Sequence, residues 1–399
     1  MSSAVDTYTL VVAQLLDDGF VGAAQAVAAA THTPLPLPAH MRPPPRELER
    51  LLQLVPKDSL RGAQVAALDL DAPTPEGADA PQPLSPVWSS KHSGRAVSFS
   101  PDGRRAAVGA LDGAIKVLDV RAMMSTARGG AASGASPIER TYTDHSNAVN
   151  DLVWHPSSAL LVSASEDGTM RFFEMERQTL RATRQCTDTH AVRSVSFHPA
   201  GDHLLVGTAH SALHIYDVAS FRCYTAARPN ENHTSPITSA CWSSDGSLFA
   251  SCAADSIKLW DANSCRCVHT LENHHSGQHV SAIKFSSNGR YLLSCGLDSR
   301  VCLFSVASAK VVCTYEGASQ QTHPTSCCFS HNEACVLSAD ETTNDVLAWN
   351  ARSGDLLYRC TGHTGSVTGM AHSPVEPALL TLGDDTVRCW APADAHMVG

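Results

Sequence analysis

The most constraining feature of this sequence is a motif that recurs from residue 90 onward, mostly every 43–45 residues. Each copy is an apolar stretch that ends in a ring side chain, followed by Ser or His and then a turn. The ring positions are Phe99, Trp154, Phe197, Trp242, Phe285, Phe329 and His372. A second large residue follows each ring after 18–20 residues, at Leu118, Phe173, Tyr216, Trp260, Phe304, Trp349 and Trp390. Seven units with such regular spacing predict a repeat fold with several short strands per unit.

The repeats also share a local pattern. The fourth contains Leu259-Trp260-Asp261, preceded by Ser256-Ile257-Lys258, an alternation typical of a half-buried strand. This period and these short strands resemble the WD-repeat β-propeller family. The resemblance implies an all-β seven-bladed WD-repeat propeller in residues 85–399.

A propeller ring must close, because no blade can bury both of its faces alone. The last repeat ends at Trp390, near the end of this sequence. We therefore expect residues 85–90 (SPVWSS) to supply the outer strand of the last blade. The first interval is longer, 55 residues, because it contains a Gly/Ala/Ser-rich stretch at 122–140. We predict that this stretch is a flexible surface insertion.

The family resemblance also implies a polar network in each blade. A His before the first strand, a Ser or Thr in the second, an Asp in the next turn and a ring nitrogen in the third bond to one another. The matching positions are His145, Ser163 and Asp167 in the second repeat, His233, Ser251, Asp255 and Trp260 in the fourth, and His363, Thr381, Asp385 and Trp390 in the seventh. We interpret these residues as a structural network, because buried polar groups need partners.

Some repeats depart from that pattern. Phe173 occupies the ring position of the second repeat and has no donor, and His210 stands where the third repeat should have an Asp. The turns of the fourth and seventh repeats are one residue short, so the assignments of Asp255 and Asp385 depend on where the gap is placed.

Residues 1–60 have a different character, with apolar residues at helical spacing and breaks at Gly19, Pro34 and Pro56. This pattern predicts a small all-α N-terminal domain of three short helices. The stretch LVVAQLLDDGFVGAAQAV resembles the lissencephaly-type homology motif, a helical dimerisation element. Leu15, Leu16 and Phe20 are therefore expected to form a homodimer contact, with the propeller alone monomeric. The alternative is a monomeric helical cap on the propeller.

Residues 61–84 are rich in Pro and acidic residues, which predicts an extended linker. The whole chain carries 29 basic and 39 acidic residues, a formal net charge of −10. This acidic excess argues against tight direct RNA binding through a broad basic surface. No apolar run is long enough to cross a membrane, and the first 20 residues lack the features of a secretory signal.

Motifs for chemistry are mostly missing from the sequence. It has no GxxxxGK[ST] loop, no HExxH and no GxSxG, so we predict that the protein is not an enzyme and needs no cofactor. The 14 cysteines contain no CxxC pair. Cys265, Cys267 and His269, followed by His274, His275 and His279, could chelate a soft metal. Because an outer strand and the next His-bearing loop belong in this segment, we predict no metal site.

Several stretches are more specific than a WD repeat. Val192–Tyr224, including His210, resembles the family of WD-repeat subunits of cleavage stimulation factor, as do VVAQLLDDGFVGAA and HSPVEPALLTLGDDTVRCW. The resemblance implies a nuclear, non-catalytic scaffold subunit for cleavage and polyadenylation of mRNA 3′ ends. It further implies a homodimer that binds a HAT-repeat scaffold subunit, leaves RNA binding to an RRM subunit, and has a link to the C-terminal tail of RNA polymerase II.

Two other scaffold classes remain open. One is a WD-repeat substrate receptor of a ubiquitin ligase, and the other is a motor-associated dimeric adaptor like the lissencephaly protein. Ligase receptors usually carry a WDxR box, and the sequences LDVR at 118–121 and WNAR at 349–352 each differ from it by one residue. That difference argues against the ligase-receptor interpretation.

Overall fold

The computed structural model describes residues 68–70, 82–126, 136–177, 179–225 and 228–392. The predicted helical domain 1–60, with Leu15, Leu16 and Phe20, lies outside these residues. The described part forms seven four-stranded antiparallel sheets, which confirms the seven-bladed propeller. The innermost strand of each sheet contacts that of the next, and the innermost strands of the first and last sheets, Gly94–Phe99 and Val367–His372, also contact each other, so the blades form a ring.

Each blade is built from consecutive strands, numbered here in chain order. The first three blades are β2 (Gly94–Phe99), β3 (Arg105–Ala110), β4 (Ile115–Asp119) and β5 (Ile138–Tyr142); β6 (Val149–Trp154), β7 (Leu160–Ser165), β8 (Thr169–Glu174) and β9 (Arg184–Thr187); and β10 (Val192–Phe197), β11 (His203–Thr208), β12 (His214–Asp217) and β13 (Cys223–Thr225). The fourth and fifth are β14 (Ser239–Trp242), β15 (Leu248–Ala253), β16 (Ser256–Asp261) and β17 (Arg266–Glu272), then β18 (Val280–Phe285), β19 (Tyr291–Gly296), β20 (Val301–Ser305) and β21 (Lys310–Tyr315). The sixth is β22 (Cys327–Phe329), β23 (Cys335–Ala339), β24 (Val346–Asn350) and β25 (Leu356–Cys360).

The seventh blade joins the two ends of the propeller. Its strands are β26 (Val367–His372), β27 (Leu379–Gly383), β28 (Thr386–Pro392) and, as the outer strand, β1 (Leu84–Lys91). β1 pairs with β28 from Leu84↔Pro392 to Lys91↔Thr386, with an irregularity between Pro86 and Trp88. The expectation that residues 85–90 complete the last blade is confirmed.

The core lies between the blades. In the described residues it consists of clusters that each span two adjacent blades, and the predicted ring residues are their largest members. Trp260, Trp349 and Trp390 are at most 1% exposed. A buried aromatic side chain contributes on the order of 2–3 kcal/mol, so a ring in each blade interface accounts for the strict spacing of the repeats.

The prediction of a flexible insertion at 122–140 is wrong at both of its ends. Val120–Thr126 forms a short helix, α1, whose first turn is capped by Asp119 Oδ1 accepting from Ala122 N at 3.1 Å. Met123 of this helix is fully buried in the core cluster between the first and seventh blades. Residues 138–140 belong to β5, and residues 127–135 lie outside the described part. Because this stretch is rich in Gly, Ala and Ser, its composition does not indicate the apolar helix face that the structure contains.

The predicted linker 61–84 also departs from its expectation at one point. Leu68 is 4% exposed and packs in the core cluster between the fifth and sixth blades, and Leu70 contacts the same cluster. Leu84 already belongs to β1. These residues are therefore parts of the propeller rather than of an extended spacer. No helix in the described part of the chain is long and apolar enough to cross a membrane.

Candidate functional site: buried polar networks and the central channel

The second blade brings together the three residues that its sequence pattern predicts. His145 Nδ1 lies 2.8 Å from Asp167 Oδ2, and His145 Nε2 lies 2.6 Å from Ser163 Oγ. Thr169 Oγ1 donates to Asp167 Oδ1 at 2.6 Å. Burial lowers the pKa of His145. Burial would raise the pKa of Asp167, but hydrogen bonds from Thr169 and His145 lower it to about 2.

This Ser–His–Asp set has the connectivity of a nucleophile, a base and an orienting acid. Burial decides against that chemistry, because Ser163 is 0% exposed and the His145 side chain is equally enclosed. A substrate atom cannot reach Ser163 Oγ in this state. The set instead ties the loop before β6 to the turn between β7 and β8, with each buried polar atom paired.

The fifth blade has the same network, which sequence reasoning missed. His275 Nδ1 lies 2.8 Å from Asp298 Oδ1, and its Nε2 lies 2.7 Å from Ser294 Oγ. The sequence pattern alone places His275 among the candidate metal ligands. The useful signal was its distance in sequence, because His275 precedes its serine by 19 residues and His145 precedes Ser163 by 18.

In the fourth blade, three of the four predicted residues meet. Trp260 Nε1 donates to Ser251 Oγ at 2.9 Å, and Ser251 Oγ lies 2.7 Å from His233 Nε2. His233 Nδ1 lies 3.1 Å from Ser256 Oγ. Burial, aided by the charge of Lys258, lowers the pKa of His233 to about 4, so the ring is neutral at pH 7.

The placement of Asp255 in this network is wrong. Asp255 accepts instead from His275 N at 3.3 Å and Gly277 N at 3.0 Å, in the loop that leads to the fifth blade. The turn between β15 and β16 contains only Ala254 and Asp255, with Ala254 at φ 46°. The short turn carries the carboxylate away from His233, and the hydroxyl of Ser256 takes its place.

The seventh blade repeats this arrangement. Trp390 Nε1 donates to Thr381 Oγ1 at 2.7 Å, and Thr381 Oγ1 lies 2.7 Å from His363 Nε2. His363 Nδ1 lies 3.2 Å from Thr386 Oγ1. Burial, with a contribution from the nearby Arg388, lowers the pKa of His363 to about 4.

The prediction that Asp385 organises His363 and Thr381 is also wrong. Asp385 is exposed and accepts hydrogen bonds from Thr364 Oγ1 and Thr386 Oγ1. These bonds, that from Thr364 first, lower the pKa of its carboxyl. As in the fourth blade, the turn is one residue short, and a hydroxyl at the start of the third strand replaces the carboxylate.

The sixth and third blades use other side chains. Gln320 Nε2 donates to Ser338 Oγ at 2.7 Å and to Ala339 O at 2.8 Å, so a buried Gln replaces the histidine, again 18 residues before the serine. In the third blade, Asp188 Oδ2 lies 2.8 Å from His214 Nδ1 and accepts from Tyr216 Oη at 3.0 Å. His210 lies outside that network, with its ring centroid 5.0 Å from that of His190.

The cysteine–histidine segment after β16 does not converge on one point. Cys265 Sγ contacts Ala262 O, whereas Cys267 Sγ contacts His269 O and Thr270 Oγ1. His274 packs edge-on against Phe304, and His275 belongs to the fifth-blade network. Within the described ranges, no three His, Cys, Asp or Glu side chains are placed to hold a metal ion.

The innermost strands surround a central channel with a cavity of about 740 Å³. Its lining includes three basic side chains, Arg95, Arg193 and Lys284, and two acidic ones, Asp151 and Glu166. Arg95 and Lys284 are exposed to solvent in the channel. Exposed cations held by rigid strands can attract an acidic segment of a partner.

Asp151 is held in the channel wall by its neighbours. Its Oδ2 accepts from Val195 N at 2.9 Å and from Ser194 Oγ at 3.2 Å, and Leu152 N donates to Oδ1 at 2.8 Å. Loss of hydration raises the pKa of this carboxyl, against the opposing charge of Lys284. The carboxylate thus links the second blade to the third. The exposed basic side chains of the channel are more accessible to a partner than this carboxylate.

Known proteins match both the fold and the sequence. The family model "WD domain, G-beta repeat" matches residues 86–119 and 354–391, and "Nucleolar protein 10-like, N-terminal domain" matches residues 134–286. A crystal structure of the Cps50 (Swd1) β-propeller domain from Myceliophteria thermophila superimposes with a TM-score of 0.65, covering 77% of this chain and 99% of that one. At 16% identity, this likeness shows the fold alone.

Among curated proteins, cleavage stimulation factor subunit 50 of Arabidopsis thaliana is 34% identical over 96% of this chain and 94% of its own length. Pre-mRNA-processing factor 19 of Oryza sativa is 30% identical over 43% of this chain and 32% of its own. Nuclear distribution protein PAC1 of Arthroderma benhamiae is 27% identical over 64% and 61%.

A ring of seven four-stranded blades, four of which bury a histidine against a Ser or Thr hydroxyl, defines a WD-repeat propeller. Within that class, only the likeness to cleavage stimulation factor subunit 50 among these relatives extends over nearly the whole of both chains. The chain belongs to the cleavage stimulation factor subunit 50 family.

Proposed function

We propose that this protein is the non-catalytic WD-repeat scaffold subunit of a cleavage stimulation factor complex, acting in the nucleus in cleavage and polyadenylation of mRNA 3′ ends. The observation that carries the proposal is the 34% identity to subunit 50 over 96% of the chain. A likeness of that extent includes most of the sequence before the propeller as well as the blades.

The geometry of the blades supports a scaffold. The polar side chains that could suggest catalysis are paired with one another inside the blades, as Ser163 with His145 and Ser294 with His275. Their role is to fix turns and loops, which leaves the rim and the channel mouth for contacts with other proteins. In the complex, those contacts are to a HAT-repeat scaffold subunit and, through it, an RRM subunit, with a further link to the C-terminal tail of RNA polymerase II.

Affinity purification of the tagged full-length chain from nuclear extract, followed by mass spectrometry, tests the assignment. Recovery of HAT-repeat and RRM subunits at near-stoichiometric amounts is the expected result. Cullin-adaptor proteins in their place would favour a ubiquitin-ligase receptor, and motor-complex proteins would favour a motor-associated adaptor.

We assign the central channel to an acidic partner segment, because Arg95, Arg193 and Lys284 line it. Arg95→Glu combined with Arg193→Glu reverses two basic charges there and should reduce partner recovery at least tenfold. Arg222→Glu is the matched control, because Arg222 is exposed between β12 and β13 and does not line the channel. Equal recovery with the double variant and the control would move the partner surface elsewhere on the propeller.

RNA recognition is left to the RRM subunit in this proposal. The net charge of −10 opposes binding to a polyanion, and the channel cations are accompanied by Asp151 and Glu166. A fluorescence titration of the isolated protein with GU-rich RNA at physiological salt should give no saturation below about 10 µM, well short of typical specific affinities. Sub-micromolar, sequence-selective binding would contradict this part of the proposal.

Dimerisation through residues 1–60 is the remaining part of the proposal, and it rests on the sequence pattern alone. Two linked copies would raise the effective affinity for a partner that is itself present twice. Light scattering of the full-length chain should give twice the chain mass, and Leu16→Asp combined with Phe20→Asp should give the monomer. Leu180→Asp, a change at an exposed leucine of the propeller, should remain dimeric. A monomeric wild-type chain would remove this part while leaving the family assignment intact.

A further inference from the structure

Residues 68–70, Leu-Asp-Leu, lie at the junction of the fifth and sixth blades. Leu68 is 4% exposed, and the cluster around it contains Tyr291, Tyr315 and Trp349. Leu70 is partly buried against the same cluster. Two apolar side chains from outside the repeats therefore complete a core that the blades form among themselves elsewhere.

The backbone of this segment is bound by side chains of the propeller. Leu68 N donates to Glu333 Oε2 at 2.9 Å, and Asn288 Nδ2 donates to Leu68 O at 2.7 Å. Leu70 N donates to Tyr291 Oη at 3.2 Å. Both backbone groups of Leu68 are thus satisfied by side chains, as in sites that recognise an extended peptide through its main chain.

Glu333 has an unusual backbone conformation for this task. It lies in the turn between β22 and β23 at φ +52°, in the left-handed region, and is 5% exposed. The matching turn positions in four other blades are the positive-φ glycines Gly103, Gly201, Gly246 and Gly289, and in the second blade Ser158. A buried, charged residue replaces glycine at the one described turn where a segment from outside the repeats is bound.

The two carboxylate oxygens of Glu333 accept hydrogen bonds from two different parts of the chain. Oε2 accepts from Leu68 N, and Oε1 accepts from Ser287 N in the first turn of the fifth blade. One side chain of the sixth blade therefore holds both the neighbouring blade and the segment. A strained, buried acid retained where glycine would fit better points to a binding role.

The middle residue of the segment adds a charge preference. Asp69 Oδ2 lies 3.2 Å from Arg290 Nη1, and both side chains are partly exposed. A pair in this position contributes little affinity but disfavours a basic residue between the two leucines. The site formed by Glu333, Asn288, Tyr291 and Arg290 thus fits an apolar–acidic–apolar tripeptide.

We infer that the junction of the fifth and sixth blades is a peptide-recognition site for a Leu-acidic-Leu segment, and that residues 68–70 of this chain occupy it in cis. Glu333 and Asn288 bind the backbone of the first leucine, the core cluster binds its side chain, and Arg290 favours the acid. A partner peptide of the same chemistry could enter the site only by displacing residues 68–70. The inference is independent of the complex in which the protein acts.

Hydrogen exchange of the full-length chain tests occupancy in cis. The amides of Leu68 and Leu70 should be protected from exchange. Leu68→Asp should raise their exchange rates at least tenfold without changing the exchange rates of the inner strands of the blades. Leu180→Asp, the same change at a 62% exposed leucine, should leave them protected. Glu333→Gly removes the acceptor of Leu68 N and also relieves the positive φ, so any loss of protection comes from the missing carboxylate and not from a strained turn. Rapid exchange at residues 68–70 in a folded Glu333→Gly protein supports the site, and unchanged protection overturns the role of Glu333.

A peptide added in trans tests recognition itself. The probe is a fluorescein-labelled decapeptide, QVAALDLDAP, with the sequence of residues 64–73. Anisotropy titrations should show binding to the Leu68→Asp protein at least tenfold tighter than to wild type, because residues 68–70 no longer occupy the site in the variant. Combining Leu68→Asp with Glu333→Gly should abolish that gain, as should an Asp in the peptide at the first leucine. No binding to the Leu68→Asp protein, or equal binding to wild type, would overturn the proposal.

Discussion

The second and fifth blades differ from the fourth and seventh in how they satisfy the same buried histidine. His145 and His275 have a carboxylate on Nδ1, from Asp167 and Asp298, each at 2.8 Å. In the fourth and seventh blades, the corresponding atoms of His233 and His363 have only hydroxyls, at 3.1 and 3.2 Å. Those two blades compensate on the other side of the ring, where a tryptophan donates to the hydroxyl that contacts Nε2.

One residue of turn length separates the two designs. The longer turn places Asp167 beside the ring, whereas the shorter turns leave Asp255 and Asp385 outside and bring Ser256 and Thr386 in. In the fourth blade, the Ser256 hydroxyl donates to Ala253 O at 3.0 Å, so it accepts from His233 Nδ1, and His233 Nε2 accepts from Ser251. A neutral histidine thus fits a network without a carboxylate, while a nearby acid makes the charged form less unfavourable.

The largest effect should come from removing the carboxylate where it is part of the network. Asp167→Ala should lower the free energy of unfolding by about 3–5 kcal/mol, because it leaves buried His145 without its charged partner. Asp385→Ala, the same change at an exposed position, should cost less than about 0.5 kcal/mol. Urea denaturation of both variants measures the difference. Equal losses of unfolding free energy would mean that Asp385 contacts His363 and that the two kinds of network do not differ.

Acid should affect the carboxylate-free blades more. The pKa of His233 is about 4 in the folded chain, against about 6.5 in the unfolded one, so the folded state binds fewer protons between these values. Neutral His233 therefore contributes fully to the stability of the fold above about pH 6.5. About 3 kcal/mol of this stability is lost as the pH falls towards 4. The fourth blade should therefore weaken on acidification.

The matched variants are His233→Gln and His145→Gln, since Gln320 already fills this position in the sixth blade. Between pH 7 and 4, wild type should lose about 3 kcal/mol more stability than His233→Gln. His145→Gln should change the pH dependence less, because Asp167 opposes the downward shift in the pKa of His145. Denaturation midpoints across this pH range test both, and a steeper loss in His233→Gln than in wild type would contradict the assignment.

The blades could be predicted from sequence because their signal is periodic. Rings such as Trp154 and Trp242 must recur at the blade spacing to fill each interface, whatever the turns contain. The network acids could not be assigned in the same way, because a single missing turn residue decides whether Asp255 or Ser256 faces His233. The contact of Leu68 with Glu333 joins residues 265 positions apart and has no periodic signal.

The serine hydroxyl at the centre of a network should contribute more to stability where a tryptophan also donates a hydrogen bond to it. Ser251→Ala removes the partner of both His233 Nε2 and Trp260 Nε1, so about 2–3 kcal/mol should be lost. Ser163→Ala unpairs only His145 Nε2, since Phe173 has no donor, and should cost about 1–2 kcal/mol. The two changes delete the same atom at positions that are both 0% exposed, so cavity effects are matched. A loss for Ser163→Ala equal to or above that for Ser251→Ala would remove the compensating role of tryptophan.

The smallest effect should come from the hydroxyl that replaces the acid. Ser256→Ala deletes the group 3.1 Å from His233 Nδ1, and Thr386→Val deletes the one 3.2 Å from His363 Nδ1. These long contacts between neutral groups each contribute about 1 kcal/mol, well below the charged contact of Asp167. His233 Nδ1 carries a proton both in this neutral ring and in the protonated ring, so the loss should persist at acid pH rather than disappear. Thermal denaturation of Ser256→Ala at pH 7 and at pH 4 checks this, and a loss as large as that of Asp167→Ala would show that hydroxyl and carboxylate are equivalent here.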